Sequence, residues 1–126
     1  MSADVFSKDK SLGTQGEAFA ASYLKSLKYK IIQTNYRCRC GEIDIIARDG
    51  PVLVFVEVKA RRGTSYGPPQ LSVTPFKQRQ ISKAALTYLS QNKLLEVPAR
   101  FDVIALVLRD SEPDVNHIKD AFELAY

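Results

Sequence analysis

Three charged residues sit where charge is least expected: Asp44, Glu57 and Lys59. Asp44 lies inside the apolar run IDIIA, Glu57 near the end of VLVFVEV, and Lys59 two residues further on. A buried charge without a partner is strongly unfavourable, and two neighbouring carboxylates repel each other. A divalent cation relieves both penalties, and Mg²⁺ is commonly held by one or two carboxylates while keeping several waters. A lysine beside such an ion can orient or deprotonate a water, or steady a negatively charged transition state. The plainer alternative is a Glu57–Lys59 ion pair near a strand end and a solvated Asp44, since charged residues are mostly exposed.

The elements that must position these groups are two strands. Both runs are rich in β-branched residues, and Arg48-Asp49-Gly50-Pro51 between them contains an Asp-Gly hairpin signal. A two-residue turn at Asp49-Gly50 pairs Asp44 with Phe55, and a longer loop pairs Asp44 with Glu57. Side chains alternate along a strand, so either register places Asp44, Glu57 and Lys59 on one face. Val52, Val54, Val56 and Val58 are then expected opposite, with Ile43, Ile45 and Ala47.

Asp44, twelve intervening residues and Glu57-Val58-Lys59 resemble the PD-(D/E)xK signature of restriction-endonuclease-like nucleases. More narrowly, GEIDIIARDG followed by LVFVEVKARR resembles the small bacterial YraN-type family of endonuclease-like proteins, related to archaeal Holliday-junction resolvases. GTQGEAFAASYL, NYRCRCGEIDIIARDG and RFDVIALVL extend the likeness over most of the chain. Ile43 stands where the signature has proline. The resemblance implies that Asp44 and Glu57 hold Mg²⁺ or Mn²⁺, with the Val58 carbonyl as a third oxygen, and that Lys59 assists hydrolysis. It implies DNA as substrate, with branched DNA and a homodimer as extensions from the resolvases. The alternative is a catalytically silent nucleic-acid-binding module on the same fold.

Glu17 carries two readings. Thr14-Gln15-Gly16-Glu17 fits a capping box opening a helix from Thr14 to about Leu27, with residues 1–12 loosely ordered. Glu17 also shares a stripe with Leu24. Resolvases have a first-helix acid near the active site, which makes Glu17 a candidate catalytic residue by resemblance.

Lys30–Tyr36 reads as a strand, and Arg37 and Arg39 then lead into the hairpin. Arg37, together with Arg61 and Arg62 just beyond Lys59, is a candidate phosphate contact. A loop, ARRGTSYGPPQLSV, follows, where Tyr66 is placed to stack on a base or sugar. Thr74 as N-cap and Pro75 as first residue open a second helix to about Gln91. Lys77, Arg79 and Gln80 on its early turns are further nucleic-acid candidates, while Phe76, Ala84 and Tyr88 are expected on one packed side. FDVIALVL reads as a strand covered on both faces, and a short strand follows near Asn116–Lys119.

The order α-β-β-β-α-β-β predicts a mixed sheet with helices on its faces, an α/β, restriction-endonuclease-like three-layer fold. One domain is expected for 126 residues. Eighteen basic against fourteen acidic residues, a formal charge of +4, lean modestly toward polyanions. No apolar run approaches the length of a membrane span, so a cytoplasmic protein without membrane contact is expected. Cys38 and Cys40, with the lone His117, fall one ligand short of a structural zinc site, and free thiols are the expectation.

Overall fold

The computed structural model describes residues 8–63, 73–110 and 112–125, with side chains from residue 12 onward. Tyr66, and most of the loop that carries it, lie outside the described residues. Helix α1 (Lys8–Ser26) leads to three strands: β1 (Lys30–Cys38), β2 (Gly41–Asp49) and β3 (Val52–Arg62). Helix α2 (Pro75–Gln91) precedes β4 (Ala99–Leu108) and β5 (Asp114–Phe122). The five strands form one sheet in sequential order. β3 and β4 run parallel, with α2 in their crossover, and every other pair is antiparallel. This is the three-layer α-β-β-β-α-β-β architecture expected of a restriction-endonuclease-like chain.

The strand alternation explains the two helical layers. On one face, Ala20 and Leu24 of α1 pack with Ile45, Ala47, Val54, Val56, Ile104 and Leu106. On the other, Ile81, Ala84, Ala85, Tyr88 and Leu89 of α2 pack with Ile46, Leu53, Phe55, Phe101 and Val103. Both faces of β2 to β4 are therefore core, which is why these strands read as continuous apolar runs. No helix among the described residues is long and apolar enough to cross a membrane.

Several boundaries differ from expectation. Helix α1 starts at Lys8, so Thr14 and Glu17 lie inside it and no capping box forms there. Capping grammar requires a residue with non-helical geometry at Thr14, and the helix runs straight through it. The β2–β3 turn is centred on Gly50-Pro51, one residue later than Asp49-Gly50, because Asp49 pairs with Val52. Gly50 supplies the positive φ of 60° that the turn needs. β3 runs to Arg62, so Arg61 and Arg62 are strand residues paired with Val107 and Leu108.

Two further corrections concern faces. Ile43 packs with the α2 layer beside Ile46, not with Ile45 and Ala47. The alternation slips around Asp44, where β2–β3 pairing stops after Ile45↔Val56 and the facing β1 residue Asn35 has φ 54°. Phe76 is 63% exposed, so it does not join the packed side of Ala84 and Tyr88, whose buried stretch begins only at Ile81.

Candidate functional site

The slip in β2 is where the acids meet. Pairing through Ile45↔Val56 sets Asp44 opposite Glu57, the second of the two registers read from the sequence. Asp44 is 9% exposed, and one of its oxygens, Oδ2, accepts a hydrogen bond from the Val58 N–H at 2.8 Å. Its carboxyl also hydrogen-bonds to that of Glu57. Glu57 is pushed up to about 7, first by burial and then by the charge of Asp44, against the pull of Lys77 and Lys59. Burial likewise raises Asp44, opposed by the Val58 N–H. Two largely desolvated carboxyls, both raised by burial, make a site whose ionised form a cation would stabilise.

Each layer delivers further groups. From α1, Glu17 is raised by burial and by Asp44, and it hydrogen-bonds to Asn35. Gly16 makes this approach possible: a Cβ there would stand 2.7 Å from the Ala60 Cβ, so only glycine lets α1 come this close to β3. From α2, the Thr74 side chain accepts from the Lys77 N–H and fixes the first turn. Lys77 Nζ then lies 3.9 Å from Glu57 Oε2. A cation in the first turn of a helix opposes the macrodipole, and the carboxylate partner offsets that cost. Lys59, two residues along β3 from Glu57, lies on the same face by alternation.

The structure thus brings Asp44, Glu57, Lys59, Glu17 and Lys77 together. Arg37, Lys77 and Gln80 also line a recess of ≈ 290 Å³ with Cys38, Gly41 and Glu42. Arg37 stands 4.0 Å from Glu42, an exposed pair of small energetic weight. Arg61 and Arg62 extend the line of β3 away from the acids, and Arg62 borders a separate recess with Gln15, Gly63 and Arg109. Arg79 is exposed on α2 and lines neither recess. Cys38 and Cys40 are both free thiols.

The donor set decides which ion would fit. Among the described residues, no group of three or more His, Cys, Asp or Glu is arranged to hold a metal. Asp44 and Glu57, with the carbonyl of Val58 next along β3, would offer two or three hard oxygens. That suits a cation retaining most of its waters, such as Mg²⁺ or Mn²⁺, and not a closed zinc site.

Sequence reasoning missed Asn35, which holds Glu17, and the only available signal was asparagine's tolerance of positive φ. The sequence also offers no partner for the lone His117, and the structure supplies two. His117 Nε2 is 2.8 Å from Asp102 Oδ2, and its Nδ1 is 3.1 Å from the Tyr23 hydroxyl. Arg100 joins the same cluster, donating to Asp102 and to Tyr29 and pairing with Asp49 at 3.1 Å. Arg100 and Asp102 are two residues apart and share a face of β4 by alternation, but Tyr23, Tyr29, Asp49 and His117 reach them from elsewhere in the chain, and no local pattern announces those contacts.

A family model described as uncharacterised protein family UPF0102 matches residues 16–106. The chain belongs to the UPF0102 family. A UPF0102 protein of Geotalea uraniireducens is 66% identical over 119 residues, covering 94% of each chain. One from Geobacter sulfurreducens is 61% identical over 119 residues, covering 94% of this chain and 93% of its own. A UPF0102 protein of Syntrophotalea carbinolica is 48% identical over 114 residues, covering 90% and 93%. UPF0102 is the YraN-type family that the hairpin residues resemble. The matched segment runs from Gly16, at the close approach of α1, to Leu106 of β4, and so spans every acid of the site.

Proposed function

We propose that this UPF0102 chain is a metal-dependent endonuclease that hydrolyses DNA phosphodiester bonds. The observation that carries the reading is the buried Asp44–Glu57 pair, hydrogen-bonded within itself and faced by Lys59 and Lys77. Asp44 and Glu57, with the Val58 carbonyl, would hold Mg²⁺ or Mn²⁺. When bound, that ion polarises the scissile phosphate and lowers the pKa of a coordinated water.

The chain's own residues supply the rest. The Val58 N–H keeps the Asp44 carboxylate in one orientation. Lys59 orients the attacking water or accepts its proton, and Lys77 moves from Glu57 to meet the negative charge that gathers on phosphorus. Glu17, held by Asn35, orients water on the α1 side. Arg37, Gln80, Arg61, Arg62 and Arg79 hold flanking phosphates, which makes binding steeply salt-dependent. Cutting both strands of a duplex or a branched DNA takes two such sites, and hence a homodimer.

The test is calorimetric titration of Mn²⁺ into the wild-type protein and an Asp44→Ala variant, followed by cleavage assays on duplex and branched DNA. Saturable binding and Mn²⁺-dependent cleavage, both lost in the variant, are expected. Cleavage that survives Asp44→Ala overturns the assignment.

A further inference from the structure

Phe76 has no explanation in the packing of α2. It sits in the helix's first turn, 63% exposed, next to the lysine that reaches Glu57. A phenylalanine left in water forfeits the favourable transfer of its ring to an apolar surrounding. Its neighbours on the same helical stripe, three, four and seven residues on, are Arg79, Gln80 and Lys83. Arg79 and Lys83 are exposed, and Gln80 turns into the recess shared with Arg37 and Lys77. Helix α2 contains no acidic residue at all, against three cations: Lys77, Arg79 and Lys83.

This face of α2 therefore combines an exposed aromatic ring with three cations and no acid of its own, the nearby acids Glu42 and Glu57 belonging to β2 and β3. A protein partner or a second copy of this basic chain would have to bring its own acidic patch to such a face. A nucleic-acid strand brings both complements at once: phosphates for the cations and a flat apolar base for the ring. An intact duplex hides its base faces in the stack, so the ring is matched only where a base is unpaired or easily unstacked. We propose that Phe76 is a base-stacking residue that selects nucleic acid with an unpaired base beside the phosphate engaged by Lys77. The proposal rests on the endonuclease reading for the position of that phosphate, and it deepens that reading by naming the substrate class.

The chain has no tryptophan, so Phe76→Trp installs a single fluorescent reporter at the position in question. Single-stranded oligonucleotide is expected to quench its emission, and blunt duplex of the same sequence is not. In parallel, Phe76→Ala is expected to weaken single-strand binding by roughly 5- to 150-fold, the range that loss of one base–aromatic stack produces. Its duplex affinity, Mn²⁺ binding and melting temperature are expected to stay at wild-type values, because the ring supports neither the core nor the acids. Equal quenching by both DNAs, or an unaltered single-strand affinity for Phe76→Ala, overturns the proposal. So does a shift of Phe76→Ala from dimer to monomer in sedimentation, which would make the ring a self-contact. Mn²⁺ binding in a protein that ignores single strands would leave the metal reading standing and remove this one. Quenching without any Mn²⁺ binding would do the reverse.

Discussion

The Asp44 carboxylate accepts a hydrogen bond from the N–H of Val58, the residue that directly follows Glu57, at 2.8 Å. One acid is thus anchored to the backbone that carries the other, across the point where β2 and β3 stop pairing. The Val58 N–H has lost its strand partner there, and the side chain of Asp44 takes the place of one. The same bond satisfies a buried donor and aims a carboxylate at Glu57.

Asp44→Asn separates these two duties. The amide oxygen still accepts from Val58, so the fold persists, while the negative charge is gone. Mn²⁺ affinity is expected to fall by more than roughly 100-fold, the upper end of what loss of a supporting partner alone produces. The melting temperature without metal is expected to hold or rise at pH 8, because one of two repelling carboxylates has been removed. Calorimetry and a thermal melt on the same sample check both.

The pH dependence of stability follows from Glu57. Its folded pKa of about 7 lies above the ordinary value of 4.5, so the folded protein binds more protons between those two values. Stability is therefore greatest below that window and falls as pH rises through it, by about 3 kcal/mol for a carboxyl displaced this far. Asp44 and Glu17 are raised as well and act in the same direction. Urea denaturation at pH 5 and pH 8 is expected to give a lower midpoint at pH 8, and Glu57→Gln is expected to flatten the difference. Mn²⁺ at about 100 times its dissociation constant would restore about 2.7 kcal/mol at pH 8.

The Asp102 cluster titrates elsewhere. Burial pushes Asp102 up, but hydrogen bonds from His117, Arg100 and the Asp120 N–H outweigh it and hold the carboxyl below its ordinary value. Its contribution is present above pH 3.8 and lost only as pH falls further, outside the Glu57 window. Asp102→Ala leaves Arg100 and His117 without their shared buried partner, and a loss of about 3–5 kcal/mol is expected in denaturant titrations.

How far these relationships were readable depends on their range. The hairpin, the second helix with its Thr74-Pro75 opening and the order of elements along the chain follow from local grammar, and the structure agrees with them. The pairing of Asp44 with Glu57 followed too, as one of two registers, because parity constrains a hairpin whatever its turn. Helix α1 was placed too late because Thr14-Gln15-Gly16-Glu17 satisfies a capping pattern in the middle of a helix. Ile43 went to the wrong face because alternation assumes an unbroken strand, and β2 slips at Asp44. Periodicity alone puts Phe76 on the packed side, because it cannot tell an exposed first-turn residue from one that packs. The contacts of His117 with Asp102 and Tyr23 depend on β4, β5 and α1 meeting in space, which no window of sequence contains.

Gly16 offers a test of the close approach of α1. Alanine would gain about 1 kcal/mol of helix propensity over glycine. Its Cβ would also stand 2.7 Å from that of Ala60, which forces helix and strand apart. Overpacking of this kind costs about 1–3 kcal/mol, so Gly16→Ala is expected to lower stability despite the propensity gain. The double variant Gly16→Ala with Ala60→Gly returns the space and is expected to recover most of the loss in a thermal melt. A Gly16→Ala protein as stable as wild type would mean that α1 does not sit this close to β3.

Lys77 Nζ lies 3.9 Å from Glu57 Oε2, where it competes with any metal ion for the same carboxylate. Lys77→Gln removes that competitor while keeping a polar side chain on the first turn of α2. The lysine is about two-fifths exposed, so solvent screening limits its effect on the acids to about 0.2–1 kcal/mol. Mn²⁺ affinity at pH 8 is therefore expected to rise by roughly 1.5- to 5-fold. The same substitution takes away a phosphate contact, so DNA binding is expected to weaken with a salt slope smaller by about 1. Opposite changes in the two affinities are the signature of a lysine that exchanges carboxylate for phosphate. If both affinities fall together, Lys77 is a support for Glu57 and its exchange role is wrong.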